Sequence, residues 1–231
     1  MIYIYTHLGL GDHILCNGLV RHFSENENRV YVFVKPTNIN NVAFMYRDNP
    51  TIKLISMYDH EVQQFMSINR NNKYIVAGIS TEYHRKLNNN EYETFDIGFY
   101  DMVNIPLEYK WDKFHINRNQ ESEKDAFYNK LSLQDGEDFI LIHDDVSRGM
   151  KLNLNYIQKG IKIINIANYQ NIGIFDFIYA IEQAREVHVM NSSFACLIDT
   201  MQIRNDNIFY HEYARPNTNF KLKLNWNILK F

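Results

Sequence analysis

The sequence predicts an α/β protein of two successive domains, each with parallel strands that alternate with helices. Short runs of β-branched and aromatic residues alternate along the chain with stretches of helical periodicity, which is typical of parallel sheets with helical crossovers. The alternation breaks between residues 81 and 111 and then restarts, so we expect a domain boundary near Arg118. Hydrophobic residues make up 45% of the 231 residues and charged residues 22%, a composition that can bury a full core.

A strand at residues 2–6 opens the first domain, residues 1–118, and runs into a glycine-bearing turn. From Asp12 apolar residues recur at helical spacing, which predicts a helix after the turn. The next predicted elements are strands at residues 30–34, 52–56 and 74–79, with helices near residues 41–47 and 61–69 between them. Because crossovers between parallel strands are almost always right-handed, we expect an open sheet with helices on both faces. Between residues 81 and 111 we expect a polar loop that borders a cleft and contains a short helix at residues 95–103.

The second domain, residues 119–231, repeats the alternation in a smaller α/β unit. The predicted elements are a helix at residues 121–133, strands at 139–143 and 161–166, a helix at 174–184, a strand at 186–190, a helix from Phe194 and a strand at 208–211. The final residues, 226–231, are predicted to form a short closing helix whose apolar side chains pack on the core.

Charge, cysteine content and hydropathy exclude several classes of function. The 24 Lys and Arg residues against 27 Asp and Glu give a net charge of −3 without a basic arm, which argues against a nucleic-acid partner. Cys16 and Cys196 belong to no CxxC or Cys/His cluster, which argues against structural zinc and a disulfide framework and suits a reducing cytoplasm. The apolar runs are far shorter than the ~20 residues of a membrane helix, and the first residues lack a signal-peptide pattern. We therefore expect a cytoplasmic protein without a transmembrane segment.

The loop HLGLGDH at residues 7–13 carries the most informative local pattern. Gly9 and Gly11 follow the first strand, where glycines let the backbone approach a ligand at a helix N-terminus. A dinucleotide fingerprint requires a third glycine where Ile14 stands, so a dinucleotide site is disfavoured. Asp12 would also repel a pyrophosphate, and two interpretations stay open for it: a functional carboxylate and a plain N-cap of the helix.

Two histidines, His7 and His13, flank this loop. Each is a candidate for binding a substrate hydroxyl or phosphate, and each is also a candidate for a structural hydrogen bond. We rank both below Asp12 as functional residues.

The second informative segment follows the predicted strand at residues 186–190. Asn191, Ser192 and Ser193 begin the next helix, and a helix start exposes backbone N–H groups. Those donors and the two serine hydroxyls are suited to bind a phosphate or diphosphate at the carboxyl edge of a parallel sheet. An ordinary helix cap is the alternative interpretation.

A third cluster follows the predicted strand at residues 139–143. Arg148 and Lys151 are candidates for neutralising a departing diphosphate. Asp144 and Asp145 offer hard oxygen ligands for magnesium or manganese, although adjacent carboxylates in a loop are also typical of a solvated turn. Arg215 is a further candidate for an anion contact, or else a surface ion-pair partner.

The Gly11 and Asp12 pair, together with the late strand, Asn-Ser-Ser and helix element, resembles bacterial glycosyltransferases of the GT-B fold, the heptosyltransferases in particular. In that family an amino-terminal strand runs into a Gly-Asp pair, and the aspartate is the proposed base for the acceptor hydroxyl. The resemblance assigns that role to Asp12. It also implies donor-diphosphate contacts for Asn191, Ser192 and Ser193, and two Rossmann-like domains that face each other across a cleft.

These observations lead to the hypothesis of a metal-independent transferase that moves a sugar from a nucleotide-diphosphate sugar to the hydroxyl of a glycan or lipid-linked saccharide. Asp12 is the predicted catalytic base. Substrate contacts are predicted for Gly9, Gly11, His13, Arg148, Lys151, Asn191, Ser192 and Ser193. No metal and no cofactor is expected, because the nucleotide sugar is itself a substrate. Two alternatives stay open: a metal-dependent, single-sheet glycosyltransferase that uses Asp144 and Asp145, and a non-catalytic sugar- or nucleotide-binding module.

Overall fold

The computed structural model describes residues 1–157, 160–215 and 219–230, apart from the side chain of Ser147. The chain divides into two compact units, Met1–Asn117 and Arg118–Phe231, called here the first and the second unit. The division falls beside the predicted boundary near Arg118. Each unit has a parallel sheet of its own, so the single sheet that the metal-dependent alternative requires is wrong.

The first unit contains a four-stranded parallel sheet with the spatial order β3-β2-β1-β4. Its strands are β1 (Ile2–Tyr5), β2 (Val30–Val34), β3 (Ile52–Ser56) and β4 (Tyr74–Val76). The central strands are almost wholly apolar because both of their faces are covered, and Ile4 and Val32 are completely buried. The spatial order of the strands changes direction between β1 and β4, where Tyr5 pairs with Val76. The residues that follow these two strands therefore lie next to each other at the carboxyl edge of the sheet.

Seven α-helices are described in the first unit. They are α1 (Leu10–Leu15), α2 (Asn17–Asn26), α3 (Ile39–Tyr46), α4 (Asp59–Ile68), α5 (Thr81–Asn88), α6 (Phe95–Asp101) and α7 (Tyr109–Asp112). The first helix begins at Leu10, two residues before the predicted start, so Gly11 lies in its first turn. The prediction that Gly11 belongs to a loop is therefore wrong.

The polar loop predicted between residues 81 and 111 is also wrong, because α5 lies within it and α7 begins within it, in addition to the predicted short helix. Ser80 caps α5 by accepting a hydrogen bond from the Tyr83 amide, with 3.1 Å between Oγ and N. The Tyr83 side chain is buried, whereas Glu82 and Arg85 form an exposed ion pair. Because the apolar face of this helix is so narrow, most of its residues are polar and the sequence lacks a clear helical periodicity of apolar residues. This explains the wrong prediction.

A buried ion pair joins α6 to α7. Lys110 Nζ donates to Asp96 Oδ2 at 2.7 Å, and both side chains are completely inaccessible to solvent. Thr94 Oγ1 donates to the other carboxylate oxygen at 2.7 Å. Removing one partner of such a pair leaves an uncompensated charge in the core, so the pair fixes the position of α7 against the rest of the unit.

The second unit contains a five-stranded parallel sheet with the spatial order β6-β5-β7-β8-β9. Its strands are β5 (Phe139–His143), β6 (Lys162–Asn165), β7 (Glu186–Val189), β8 (Ile208–His211) and β9 (Asn227–Leu229). The order reverses between β5 and β7, where His143 pairs with Val189. Residues that follow these two strands therefore lie next to each other.

The predicted closing helix at residues 226–231 is wrong, because residues 227–229 form β9. This strand runs parallel to β8, with Phe209 opposite Asn227 and His211 opposite Leu229. One carboxylate oxygen of the buried Asp199 accepts hydrogen bonds from the amides of Lys223 and Leu224, at 2.8 and 3.1 Å. It also accepts one from Trp226 Nε1 at 3.0 Å. These bonds hold the approach to β9 beside the sheet, which a local sequence pattern does not reveal.

Three α-helices are described in the second unit. They are α8 (Gln120–Asp125), which continues as a π-helical turn at Ala126–Lys130, α9 (Ile178–Gln183), which follows a 3-10 turn at Ile174–Phe177, and α10 (Ser193–Met201). Arg118 connects α8 to α9 by bonding Glu123 and Glu182, the latter at 2.7 Å. In the ranges 1–157, 160–215 and 219–230 no helix is long and apolar enough to cross a membrane.

Candidate functional site

Each sheet has one point at which its strand order reverses. Ligands of open parallel sheets bind outside the carboxyl ends of the strands at such a point, because the connecting chains leave on opposite faces there and open a crevice. The points are β1 beside β4 in the first unit and β5 beside β7 in the second. Apart from Arg215, which follows β8, the predicted site residues follow β1, β5 and β7, the strands that border these points.

Asp12 lies in the first turn of α1, directly after β1. Its Oδ2 atom is only 2.6 Å from the position that a Cβ atom on residue 9 would occupy. The carboxylate therefore folds back over Gly9, and any larger residue at position 9 would displace it. The first glycine of the loop thus makes room for the aspartate side chain.

Aromatic side chains from α5 and α6 contact His7 at the start of this loop. The His7 ring lies 6.4 Å from the Tyr83 ring and 5.9 Å from the Phe99 ring, measured between centroids. Burial and, next, the negative charge of Asp12 raise the pKa of the Tyr83 hydroxyl. Gly78, which follows β4, has a φ of +79°, and a Cβ there would lie 2.1 Å from the Phe99 ring. Asp12 and His7 therefore belong to the β1 and β4 edge.

His13, by contrast, points into the core. Its side chain is 1% exposed. Burial, with a smaller effect of the Lys35 charge, lowers its pKa to about 4. Within the described part of the chain, its Nε2 atom has no hydrogen-bond partner. The predicted ligand contact of His13 stays a prediction, and it requires access that the buried ring does not have.

Two charged residues of the first edge were not predicted. Lys35 directly follows β2 and forms an ion pair of 3.2 Å with Asp59 at the start of α4. The Tyr5 hydroxyl donates to the same carboxylate at 3.2 Å. Because the carboxyl ends of parallel strands share one edge, the polar residues just after residues 30–34 and 52–56 could have been included in the sequence analysis.

In the second unit the strand reversal brings His143 and Ser192 together. His143 is the last residue of β5, and its Nδ1 atom lies 3.1 Å from Ser192 Oγ, beyond the end of β7. The His143 ring also packs against Phe194 of α10, with 4.6 Å between centroids. Burial lowers the pKa of His143 to about 4 although Asp145 and Asp144 oppose this shift, so the imidazole is neutral near pH 7.

The turn from β7 to α10 contains the predicted serine pair. Ser192 occupies the N-cap position with an extended backbone, and within the described residues its side chain does not cap the helix. Asn191 and Ser192 are nearly buried, and Ser193 is partly exposed. Arg215 donates from Nη1 to the Asn191 carbonyl at 3.1 Å, which places a cation at this turn.

The segment after β5 is fixed by its two aspartates. Asp144 accepts hydrogen bonds from the Leu152 amide and from Asn165 Nδ2, both at 2.8 Å. Asp145 accepts from Arg148 Nη1 at 2.6 Å. Both carboxylates are thus engaged by N–H donors, and the described residues contain no group of three or more His, Cys, Asp or Glu suited to a metal ion.

The two predicted cations of this segment differ in their surroundings. The Arg148 side chain is 50% exposed and its charge is partly balanced by Asp145. Lys151 is exposed and immediately precedes Leu152, whose amide is bound by Asp144. The sequence identified both cations, whereas their dependence on the aspartates follows only from the fold.

A cavity of about 940 Å³ lies at the opposite, amino edge of the second sheet. Its lining includes Asp138 and Arg185, which pair at 3.0 Å beside the starts of β5 and β7. None of the predicted site residues lines it. The carboxyl edge, with its reversal point, is therefore the candidate site of this unit.

The chain matches no protein-family model and no curated protein sequence. It is similar in structure to a glycosyl transferase of family 9 from Veillonella parvula, with 12% identity, a TM-score of 0.58 and coverage of 99% of this chain and 86% of that chain. It is also similar to the ADP-heptose LPS heptosyltransferase II of E. coli, with 10% identity, a TM-score of 0.51 and coverage of 90% and 83%. The predicted resemblance is thereby confirmed at the level of the fold: the chain has the α/β fold of these GT-B glycosyltransferases.

Proposed function

We propose that the protein is a glycosyltransferase that moves a sugar from a nucleotide-diphosphate sugar to a hydroxyl of a glycan or lipid-linked saccharide. The observation that carries the proposal is the contact between His143 and Ser192 at the strand reversal of the second sheet, beside the start of α10. This is where a parallel sheet binds a phosphorylated ligand. The fold shared with two glycosyltransferases supports the same reaction class. A cytoplasmic location is part of the proposal.

The donor diphosphate is assigned to the start of α10. The first N–H groups of a helix have no partner within the helix, and the Ser192 hydroxyl is directed to His143 instead of to them. These amides and the Ser193 hydroxyl are suited to bind phosphate oxygens, which the helix dipole also favours. Arg215 and Lys151 supply positive charge from the end of β8 and from the loop after β5.

The acceptor hydroxyl is assigned to Asp12 as its base. An ionised carboxylate accepts the proton as the hydroxyl oxygen attacks the anomeric carbon of the donor, and the bond from that carbon to the diphosphate oxygen breaks. The charge left on the diphosphate is stabilised by the amides and cations that are proposed to bind the donor. Gly9 contributes by leaving space for the Asp12 side chain.

We propose a reaction that does not depend on a metal. The support is that Asp144 and Asp145 already accept hydrogen bonds from a backbone amide, an Asn side chain and an Arg side chain. These donors already stabilise the negative charge of the two carboxylates, the role that a metal ion would otherwise serve there. The proposal predicts full activity in the presence of a chelator, whereas loss of activity restored by Mn²⁺ would favour the metal-dependent alternative.

A screen of nucleotide sugars tests the function. A ligand at about 100 times its Kd adds about 2.7 kcal/mol to the free energy of unfolding, so a donor is detected as a rise in melting temperature. Each stabilising donor is then incubated with candidate saccharide acceptors, and product is detected by mass spectrometry. Transfer or donor hydrolysis supports an enzyme. Tight donor binding with neither reaction would favour the non-catalytic binding module, and the absence of any binding would contradict both.

A further inference from the structure

A chain of hydrogen bonds crosses one face of the second sheet and ends at the loop after β5. Glu186 Oε2 lies 3.0 Å from His188 Nε2, and His188 Nδ1 lies 2.9 Å from His211 Nε2. His211 Nδ1 lies 2.8 Å from the Tyr213 hydroxyl, which accepts a hydrogen bond from the Asn153 amide at 2.8 Å. The chain thus connects the start of β7 with a loop at the opposite edge.

When Glu186 is ionised and both imidazoles are neutral, only one assignment of donors and acceptors satisfies this series of hydrogen bonds. The carboxylate only accepts, so His188 donates from Nε2 and accepts at Nδ1 from His211 Nε2–H. His211 then accepts at Nδ1 from the Tyr213 hydroxyl. The Tyr213 oxygen keeps its lone pairs for the Asn153 amide.

The surroundings keep the two imidazoles neutral. Both rings are completely buried, and the His188 ring is stacked on Phe209 with 4.4 Å between centroids. Burial lowers the pKa of both histidines, that of His211 to about 4, although Glu186 opposes the shift of His188. Two titratable side chains pack against the His211 ring: Tyr156, with 6.1 Å between centroids, and Tyr213. Asp144 acts on Tyr213 from the end of β5.

Two consecutive amides of the loop are held from two different strands. Asp144, after β5, binds the Leu152 amide, and Tyr213, after β8, binds the Asn153 amide. The Tyr156 ring packs on the Tyr213 ring with 5.7 Å between centroids. Lys151 immediately precedes the two held amides. The position of its backbone, and with it the direction of its side chain, therefore depends on the hydrogen bonds to Leu152 and Asn153.

We propose that His211 and Tyr213 are positioning residues that fix the loop at residues 150–156 and thereby aim Lys151 at the donor diphosphate. The part that concerns the ligand rests on the proposed function. The part that concerns the loop rests only on the hydrogen bonds and packing of the second unit.

Tyr213→Phe tests the loop without any ligand. The variant keeps the ring and removes the hydroxyl, so we expect the Asn153 amide to exchange with deuterium about 5-fold faster, the effect of losing one hydrogen bond. Tyr210→Phe is the matched control, because Tyr210 lies in β8, just before the turn that contains Tyr213, and its hydroxyl bonds Asn219 at 3.1 Å rather than the loop. Unchanged exchange at Asn153 in Tyr213→Phe would overturn the proposal.

A double-mutant cycle tests the role toward the ligand. The probes are UDP, ADP, GDP and inorganic pyrophosphate, titrated by calorimetry into the natural chain, Tyr213→Phe, Lys151→Ala and the double variant. We expect Tyr213→Phe to weaken binding about 5-fold and the double variant to bind as weakly as Lys151→Ala alone, because the hydroxyl acts through the lysine. Fully additive losses would contradict positioning. If no probe binds the natural chain, the proposed function fails, and hydrogen exchange still decides whether Tyr213 holds the loop.

Discussion

The two units use the same sheet plan but place opposite chemistry at their strand reversals. In the first unit the reversal carries a carboxylate, Asp12, folded over Gly9. In the second it carries hydroxyls, backbone amides and the cation Arg215 around a neutral histidine. A shared architecture therefore leaves function to the few residues that follow each strand. One edge is suited to accept a proton and the other to bind an anion.

The two units also differ in the charge of the polar pairs that they bury. The first unit buries an ion pair, Asp96 with Lys110, that connects α6 to α7. The second unit buries a neutral pair, His188 with His211, that leads to the candidate site.

Lys110→Met is expected to have the largest effect on stability. It leaves the Asp96 carboxylate buried without its cation, which costs about 3–5 kcal/mol of unfolding free energy. The double variant Asp96→Asn with Lys110→Met should recover a large part of that loss, because no charge is then left unpaired. Tyr213→Phe in the second unit should cost only about 1 kcal/mol. Chemical denaturation measures all three, and equal losses for the two single variants would contradict the contrast between the buried networks.

Asp12→Asn is expected to reduce turnover by on the order of 100-fold or more, because an amide cannot take up the acceptor proton. The donor Kd should stay unchanged, since the donor is assigned to the other unit. Asp206→Asn is the control, because Asp206 is an exposed aspartate of similar size outside both edges. Steady-state kinetics and calorimetry with the same donor separate the two effects. An unchanged rate would remove Asp12 from the mechanism.

Ser193→Ala is expected to weaken donor binding about 5-fold, the loss of one hydrogen bond to a phosphate oxygen. The melting temperature of the free protein should change little, because the Ser193 side chain is partly exposed. Calorimetric titration with a nucleotide sugar is the measurement. An unaltered Kd would count against the start of α10 as the diphosphate site.

Acid is expected to destabilise the second unit more than the first. Burial lowers the pKa of His143 and His211 to about 4 in the second unit, and that of His13 to about 4 in the first. Unfolded histidines bind protons from about pH 6.5 downward, so the unfolded state gains protons first and stability falls as the pH drops from 6.5 towards 4. Hydrogen exchange at pH 7 and pH 5 should therefore show the greater loss of protection in the second unit. Equal losses would contradict this.

Most strands were predictable because their signal is local. The runs at residues 30–34, 52–56, 139–143 and 208–211 match observed strands residue for residue, since β-branched and aromatic side chains in short apolar runs favour a strand buried on both faces. The interruption of the strand and helix alternation before Arg118 was visible because it, too, is a local pattern along the sequence. Helices with narrow apolar faces, such as α5, were missed because polar residues dominate their composition.

The sequence by itself determined the two α/β halves, the aspartate after the first strand and the hydroxyl-rich start of a late helix. Only the tertiary structure decided which strand ends are neighbours, and with them the contacts of His143 with Ser192 and of Tyr213 with Asn153. It also decided that residues 227–229 extend a sheet, because bonds to Asp199, 24 to 27 positions away, hold the segment that leads into β9. Side-chain periodicity is set by nearest neighbours along the chain, whereas strand order and edge contacts depend on packing between residues far apart in sequence.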